Sequence, residues 1–188
     1  NIPQEAGMGG GSMNAASLIS FFTKKKLLKL KNKELIKITS QIGSDVILGI
    51  NPANTILSSD GKIKKYNKNV KFHTLVVKPS FGCSTKYVYS KVKSFSRPQF
   101  VYPKSTMFKA EYLKTLNNDL EKIVFKKYPK LEIIKSFLSS TPNNIFVRMS
   151  GSGSSIVAYF HSKKTCENAY KQFRRKFSSH WCIVSKTI

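Results

Sequence analysis

Along this chain the spacing of apolar residues switches several times between helical and strand periods. From Asn14 onward small residues (Ala15, Ala16, Ser17) give way to Leu18, Ile19, Phe21 and Phe22, the pattern of a helix that starts near Asn14 and packs closely against neighbouring backbone. Residues 33–42 place Leu35, Ile36, Ile38 and Ile42 at helical spacing before Gly43, which predicts a second helix ended by a C′ glycine. Ser44 and Asp45 form an N-cap pair ahead of Val46, Ile47 and Leu48, and turn signals at 51–54 and 58–61 bracket a short strand. Residues 72–78 read as a buried strand closed by Pro79, with Ser84 or Thr85 capping a helix that runs to about Val92. A loop at 97–103 precedes helical stretches at 107–116, 119–128 and 131–138, the last two separated by Pro129. Strands at 145–149 and 155–160, a helix at 163–177 and a strand at 181–185 give β-β-α-β, which with the 72–78 strand predicts a split β-α-β sandwich. The expected class is α+β.

Composition narrows this picture. The chain has 188 residues, 40% hydrophobic and 22% charged, enough for one good core or two small ones, and disorder is excluded. Its net charge of +24 suggests an anionic partner, but 29 of the 33 basic residues are Lys and four are Arg. Base and phosphate readers favour the bidentate Arg fork, so the excess reads as a drift in residue usage and no nucleic-acid partner is expected. The lysine runs at 24–26 and 126–127 are read as solvated helix faces. Cys83, Cys166 and Cys182 match no disulfide or zinc spacing, which points to a reducing, cytoplasmic location. No apolar run approaches the roughly 18 residues of a membrane span, no signal peptide opens the chain, and no membrane association is expected. The first residues lead directly into a glycine loop without an initiating Met, and an N-terminal truncation is expected.

Four segments carry candidate chemistry. The first is Pro3, Gln4, Glu5, Ala6, Gly7, Met8, Gly9, Gly10, Gly11, Ser12, Met13 and Asn14. Its glycines let backbone N–H groups approach an anion, and the helix that follows adds its positive dipole end, so phosphate is the natural ligand. No Lys follows the glycines and Ser12 stands where GxGxxG needs its last Gly, so neither common nucleotide motif applies; a flexible linker is the alternative. Asp45 follows Gly43 and Ser44 as either a helix cap or a carboxylate able to take a proton from an attacking hydroxyl. The run from Arg148 through Ser150, Gly151, Ser152, Gly153 and Ser154 to Ser155 is either a glycine hairpin or a second loop of backbone donors. Pro79 to Thr85 is accounted for by capping.

In order, IPQEAGMGGGSMNAA, GSDV, KPSFGCSTKYVY and RMSGSGSSIVAYF resemble the motifs of the small-molecule kinases of the galactokinase, homoserine kinase, mevalonate kinase and phosphomevalonate kinase (GHMP) superfamily. The resemblance implies a two-domain GHMP kinase fold: an incomplete N-terminal ATP-binding domain over 1–66 and a ferredoxin-like C-terminal domain over 67–188. It implies ATP as phosphoryl donor with Mg²⁺ bridging its phosphates, Pro3 to Asn14 with Gly151 and Gly153 around the nucleotide, and Asp45 as base. Ser84 and Thr85 would lie on the side of the acceptor. The substrate-side loop favours the 2-hydroxyl of cytidine-diphospho-methylerythritol, in the non-mevalonate route to isoprenoids. A homoserine- or mevalonate-type kinase is the nearest alternative, and a basic RNA-binding protein a more distant one. Three departures bear on tuning: GGGSM where the family has GGGSS, GSDVI where it has GSDVP, and no glycine-rich turn over 51–60. The family's lysine that ionises the aspartate belongs upstream of Asn1, so the 188-residue chain by itself is expected to be nearly inactive. Metal ligands and oligomeric state stay open.

Overall fold

A computed structural model of the chain describes residues 3–58, 62–66, 70–98 and 102–187. The chain forms two compact units: Gly9–Asn67, and Lys68–Ile188 joined by Asn1–Met8.

The smaller unit holds α1 (Gly10–Lys24), α2 (Asn32–Ile42), the single turn α3 (Val46–Gly49) and a hairpin of β1 (Asn54–Leu57) and β2 (Ile63–Tyr66). Helix α1 starts at Gly10, not near Asn14; glycines carry no hydrophobic pattern to signal a helix and disfavour one by propensity, yet they form its first turn here. Ala16, Ile19, Val46 and Ile50 form its core, with Leu28, Leu35 and Ile38 packed around them. Helices α1 and α3 approach so closely at Gly49 that a Cβ there would lie 2.6 Å from that of Ala16. At the start of helix α2 the Lys31 N–H donates to Glu34 Oε2 at 2.7 Å. The helix ends at Gly43, the glycine expected to close it, whose φ of 170° is extended backbone. Strands β1 and β2 pair antiparallel with Asn54 opposite Tyr66. Lys65 Nζ ties β2 to the end of α3 by donating to Ile50 C=O at 2.6 Å. Of the turn expected at 58–61, residues 59–61 lie outside the described residues, as do 99–101 of the loop expected at 97–103.

The larger unit is built on a four-stranded antiparallel sheet of β3 (His73–Lys78), β4 (Asn144–Met149), β5 (Ile156–Phe160) and β6 (Trp181–Lys186), ordered β4-β5-β3-β6. This is the split β-α-β arrangement, and α7 (Pro129–Ser139) and α8 (Lys163–Lys176) pack on the sheet. Leu75 and Val77 of β3, Ile156, Ala158 and Phe160 of β5, Leu131, Ile134 and Leu138 of α7, and Cys166 and Phe173 of α8 make one buried core. The shorter helices are α4 (Thr85–Ser90), α5 (Ala110–Leu113) and α6 (Glu121–Lys127). Ser84 caps α4 by accepting Tyr87 N–H at 3.3 Å, and Pro129 occupies the first turn of α7. The helix expected over 107–116 is two pieces, a 3₁₀ turn Ser105–Phe108 and α5, because Lys109 between them is extended (φ −71°, ψ 151°). Lys127 is not simply solvated: its ammonium sits 3.3 Å from the Tyr87 ring centre. No helix among the described residues is long and apolar enough to cross a membrane.

Candidate active site

In the larger unit three segments distant in sequence are joined by backbone hydrogen bonds. Glu5 C=O takes the N–H groups of Cys83 (3.5 Å) and Ser154 (3.3 Å), and Ala6 C=O takes that of Ser155 at 3.1 Å. Ser150 Oγ donates to Gly7 C=O at 2.8 Å, and Ser154 Oγ donates to Phe81 C=O at 2.8 Å. The segment before the first helix is therefore stitched to both the 81–83 turn and the 150–155 loop. Gly7 is required at this junction: its φ is +66°, and a Cβ would stand 2.3 Å from the Ser150 carbonyl oxygen. A freely mobile linker is thereby excluded for residues 5–7.

Accounting for the loop's N–H groups separates its residues by role. Ser150 N–H is bound to Ser155 C=O and Gly153 N–H to Ser150 C=O, both at 2.9 Å, while Ser154 and Ser155 donate to Glu5 and Ala6. The N–H groups of Gly151 and Ser152 meet no acceptor among the described residues. Gly153, expected beside the nucleotide, has its N–H bound within the loop, whereas the Ser152 N–H is unspent among the described residues. Thr85 Oγ1 lies 2.9 Å from Ser152 Oγ, so an expected substrate-side residue is bonded to the glycine loop, while Ser84 is engaged as the cap of α4. Ser155 Oγ is buried and has no hydrogen-bond partner among the described residues. Cys83 lies beneath this junction, and burial, with Glu5 adding to it and Lys78 opposing, pushes its thiol up to about 11; it is not a nucleophile at neutral pH.

The smaller unit presents a helix N-terminus and a carboxylate. Gly9, with φ +62°, caps α1, and the first intrahelical bond is Met13 N–H to Gly9 C=O at 2.9 Å. The N–H groups of Gly10, Gly11 and Ser12 are left to point out of the helix end, and the first turn holds no acid to offset the dipole. Met13 and Asn14, expected among the donors, are already inside the helix and have no free N–H to give. Asp45 stands at the cap position of α3, yet its side chain makes no capping bond; Ser44 Oγ donates to its Oδ1 at 3.2 Å and the residue is exposed. The Asp45 segment runs beside the start of α1, since a Cβ on Gly43 would lie 4.0 Å from Ser12 Oγ and one on Gly49 3.0 Å from Met13 Sδ. Among the described residues no three His, Cys, Asp or Glu side chains cluster as a metal site.

Two polar residues outside the sequence motifs support the second loop. Asn118 Nδ2 donates to the carbonyls of Met149 (3.0 Å) and Gly151 (2.8 Å), while its Oδ1 accepts Leu120 N–H at 3.0 Å. Glu121 Oε1 accepts Met149 N–H at 2.8 Å and its other oxygen pairs with Lys135. For Glu121 the one hint in the sequence is scarcity, since only 9 acids occur in the chain, and for Asn118 there is none. Next to them, burial lowers the pKa of Arg148, whose guanidinium donates to Leu113 C=O and Leu116 C=O and lies over the Phe146 ring.

The fold and these loops define a small-molecule kinase of the GHMP class. The family model described as "GHMP kinases C terminal" matches residues 108–179. A crystal structure of 4-(cytidine 5'-diphospho)-2C-methyl-D-erythritol kinase shares the fold with TM-score 0.78 and 21% identity, over 98% of this chain and 68% of that one. Homoserine kinase from Cytophaga hutchinsonii also shares it, with TM-score 0.75 and 14% identity, over 100% of this chain and 67% of that one. In sequence, 4-diphosphocytidyl-2-C-methyl-D-erythritol kinase of Pelagibacter ubique (strain HTCC1062) is 65% identical over 188 residues, 100% of this chain and 67% of the relative. The enzyme of that name from Clostridium tetani (strain Massachusetts / E88) is 31% identical, over 100% of this chain and 69% of its own length. The chain belongs to the 4-diphosphocytidyl-2-C-methyl-D-erythritol kinase family.

Proposed function

We propose that the protein transfers the γ-phosphoryl group of ATP to the 2-hydroxyl of 4-diphosphocytidyl-2-C-methyl-D-erythritol, a step of the non-mevalonate isoprenoid route, in the cytoplasm. The acceptor oxygen bonds to the γ-phosphorus, the β–γ bridging bond breaks to release ADP, and the hydroxyl proton passes to a base. Asp45 is that base: an exposed carboxylate which the cap position does not engage. The unit that carries it, Gly9–Asn67, acts as ATP-binding domain, with the N–H groups of Gly10, Gly11 and Ser12 offered to phosphate. In the larger unit the free N–H groups of Gly151 and Ser152 serve phosphate oxygens, and Thr85 borders the acceptor side. Mg²⁺ accompanying ATP would neutralise charge on the phosphates during transfer. Family membership aside, the observation that carries this reading is the seating of Glu5–Gly7 in the Ser150–Ser155 loop, which leaves the Gly151 and Ser152 donors unspent.

The test is incubation of the purified whole gene product that contains these 188 residues with ATP, Mg²⁺ and each of three alcohols: the cytidine compound, homoserine and mevalonate. Phosphorus NMR should show ADP and a new phosphomonoester with the first alone. A product from homoserine or mevalonate instead, or RNA binding without ATP affinity, would reject the assignment.

A further inference from the structure

Residues 118–121 belong to none of the segments that carry the family resemblance, yet they grip the second glycine loop. Both backbone groups of Met149 are taken from this one side, its C=O by the Asn118 amide and its N–H by Glu121 Oε1, at 3.0 and 2.8 Å. The same Asn118 amide takes Gly151 C=O at 2.8 Å. The Gly151–Ser152 peptide is trans, so fixing its carbonyl toward Asn118 turns the Ser152 N–H the opposite way, outward from the clamp. That N–H is one of the two donors in the loop without an acceptor. Glu121 is itself anchored by Lys135, with only 13% of the Glu121 side chain exposed, so its part of the grip is held between α6 and α7, and Asn118 reaches the loop from the segment just ahead of α6.

We propose that Asn118, braced by Glu121, is a positioning residue that sets the orientation of the Gly151–Ser152 peptide and thereby the affinity for a nucleotide phosphate. This rests on the proposed ATP-dependent reaction. The competing role for Asn118 is local: its Oδ1 holds Leu120 N–H ahead of α6, at 3.0 Å. The two roles part on one substitution. Aspartate caps about as well as asparagine, but it has no N–H to give the two carbonyls and sets an anion against them.

The experiment compares Asn118→Asp and Asn118→Ala in the otherwise unaltered protein. It reads kcat, KM for ATP and for the acceptor, and amide hydrogen exchange across residues 149–155. Both variants are expected to raise the ATP KM about tenfold with kcat and acceptor KM within about twofold. Exchange at Gly153, which Ser150 C=O protects, and at Ser155, which Ala6 C=O protects, should quicken about tenfold. An Asp variant equal to the parent in ATP KM and exchange overturns the proposal, whether or not Ala is impaired, because capping alone then explains Asn118. If the Asp variant does not fold, the Ala variant decides: an unchanged ATP KM overturns the clamp. Absence of ATP turnover in the whole gene product that contains these 188 residues defeats the kinase reading, and exchange still judges the clamp, faster supporting it and unchanged refuting it.

Discussion

Thr85 Oγ1 and Ser152 Oγ stand 2.9 Å apart across 67 positions of sequence, joining the start of α4 to the tip of the second glycine loop. Ser152 is 5% exposed, so its hydroxyl has few alternatives to Thr85. Thr85→Val keeps the shape and removes the bond, and should cost about 0.5–1.5 kcal/mol. Ser152→Ala alone should cost less, since it removes the buried group together with its need for a partner. Urea unfolding of both singles and the double variant should give a coupling above about 0.5 kcal/mol. Strict additivity would mean that the contact contributes nothing.

Gly7 and Gly11 sit four residues apart and should respond in opposite directions. Gly7→Ala forces a side chain into left-handed backbone and against the Ser150 carbonyl, 2.3 Å from the new Cβ. The backbone strain alone costs about 1–3 kcal/mol, and the clash adds to it. At Gly11 a Cβ would meet nothing within 4 Å and the residue is helical, so Gly11→Ala should stabilise the fold by about 0.5–1 kcal/mol. The same methyl would stand where phosphate is proposed to approach, so the ATP KM should rise. Thermal unfolding and ATP titration separate the two effects, and a Gly11→Ala protein with unaltered ATP KM would place the nucleotide elsewhere.

The four-stranded sheet is legible in the sequence because its strands are short apolar runs with hard stops, such as 72–78 ending at Pro79, and because β-β-α-β order admits few topologies. The glycine segments are legible as loops for a similar reason. Which of their N–H groups are free is not, since Gly153 and Ser152 look alike in sequence and differ only in that Ser150 C=O accepts from the former. Asn118 and Glu121 carry no such signal because their partners are backbone atoms near position 150, and a side chain bonded to distant backbone leaves no spacing to detect. The break at Lys109 is hidden for the opposite reason. Apolar spacing continues across it, but the extended backbone there divides one expected helix into two turns.

Cys83 and Cys166 are 1% and 0% exposed, and burial pushes both thiols up to about 11. A folded-state pKa above the unfolded one favours the protonated form in the fold. The contribution is whole below about 8.5, where both states are neutral, and is lost as pH rises toward 11 because only the unfolded chain gains from ionising. Stability should therefore fall from about pH 8.5 upward, and Cys83→Ala should flatten that fall even though it leaves a small cavity. Urea midpoints at a series of alkaline pH values measure both slopes. Iodoacetamide at pH 7.5 should label Cys182 faster than Cys83 or Cys166 in the folded protein, and equal labelling would show that the two buried thiols are open to solvent.

Asp45 gives the sharpest separation of chemistry from folding. It occupies a cap position without using its side chain as a cap, and its carboxylate accepts from the neighbouring Ser44 hydroxyl. Nothing in the fold depends on the carboxylate being charged, so Asp45→Asn should leave the unfolding free energy within about 0.5 kcal/mol of the parent. Loss of a general base removes about two to four orders of magnitude from kcat. The KM for ATP should stay within about threefold, because the phosphate donors are backbone groups which the substitution does not touch. Steady-state kinetics on the variant, with ATP and the cytidine-linked alcohol each varied, resolve these terms. A variant that keeps most of its kcat would move the base to another residue. One that loses ATP affinity and kcat together would mean that the carboxylate organises the nucleotide instead of accepting the proton.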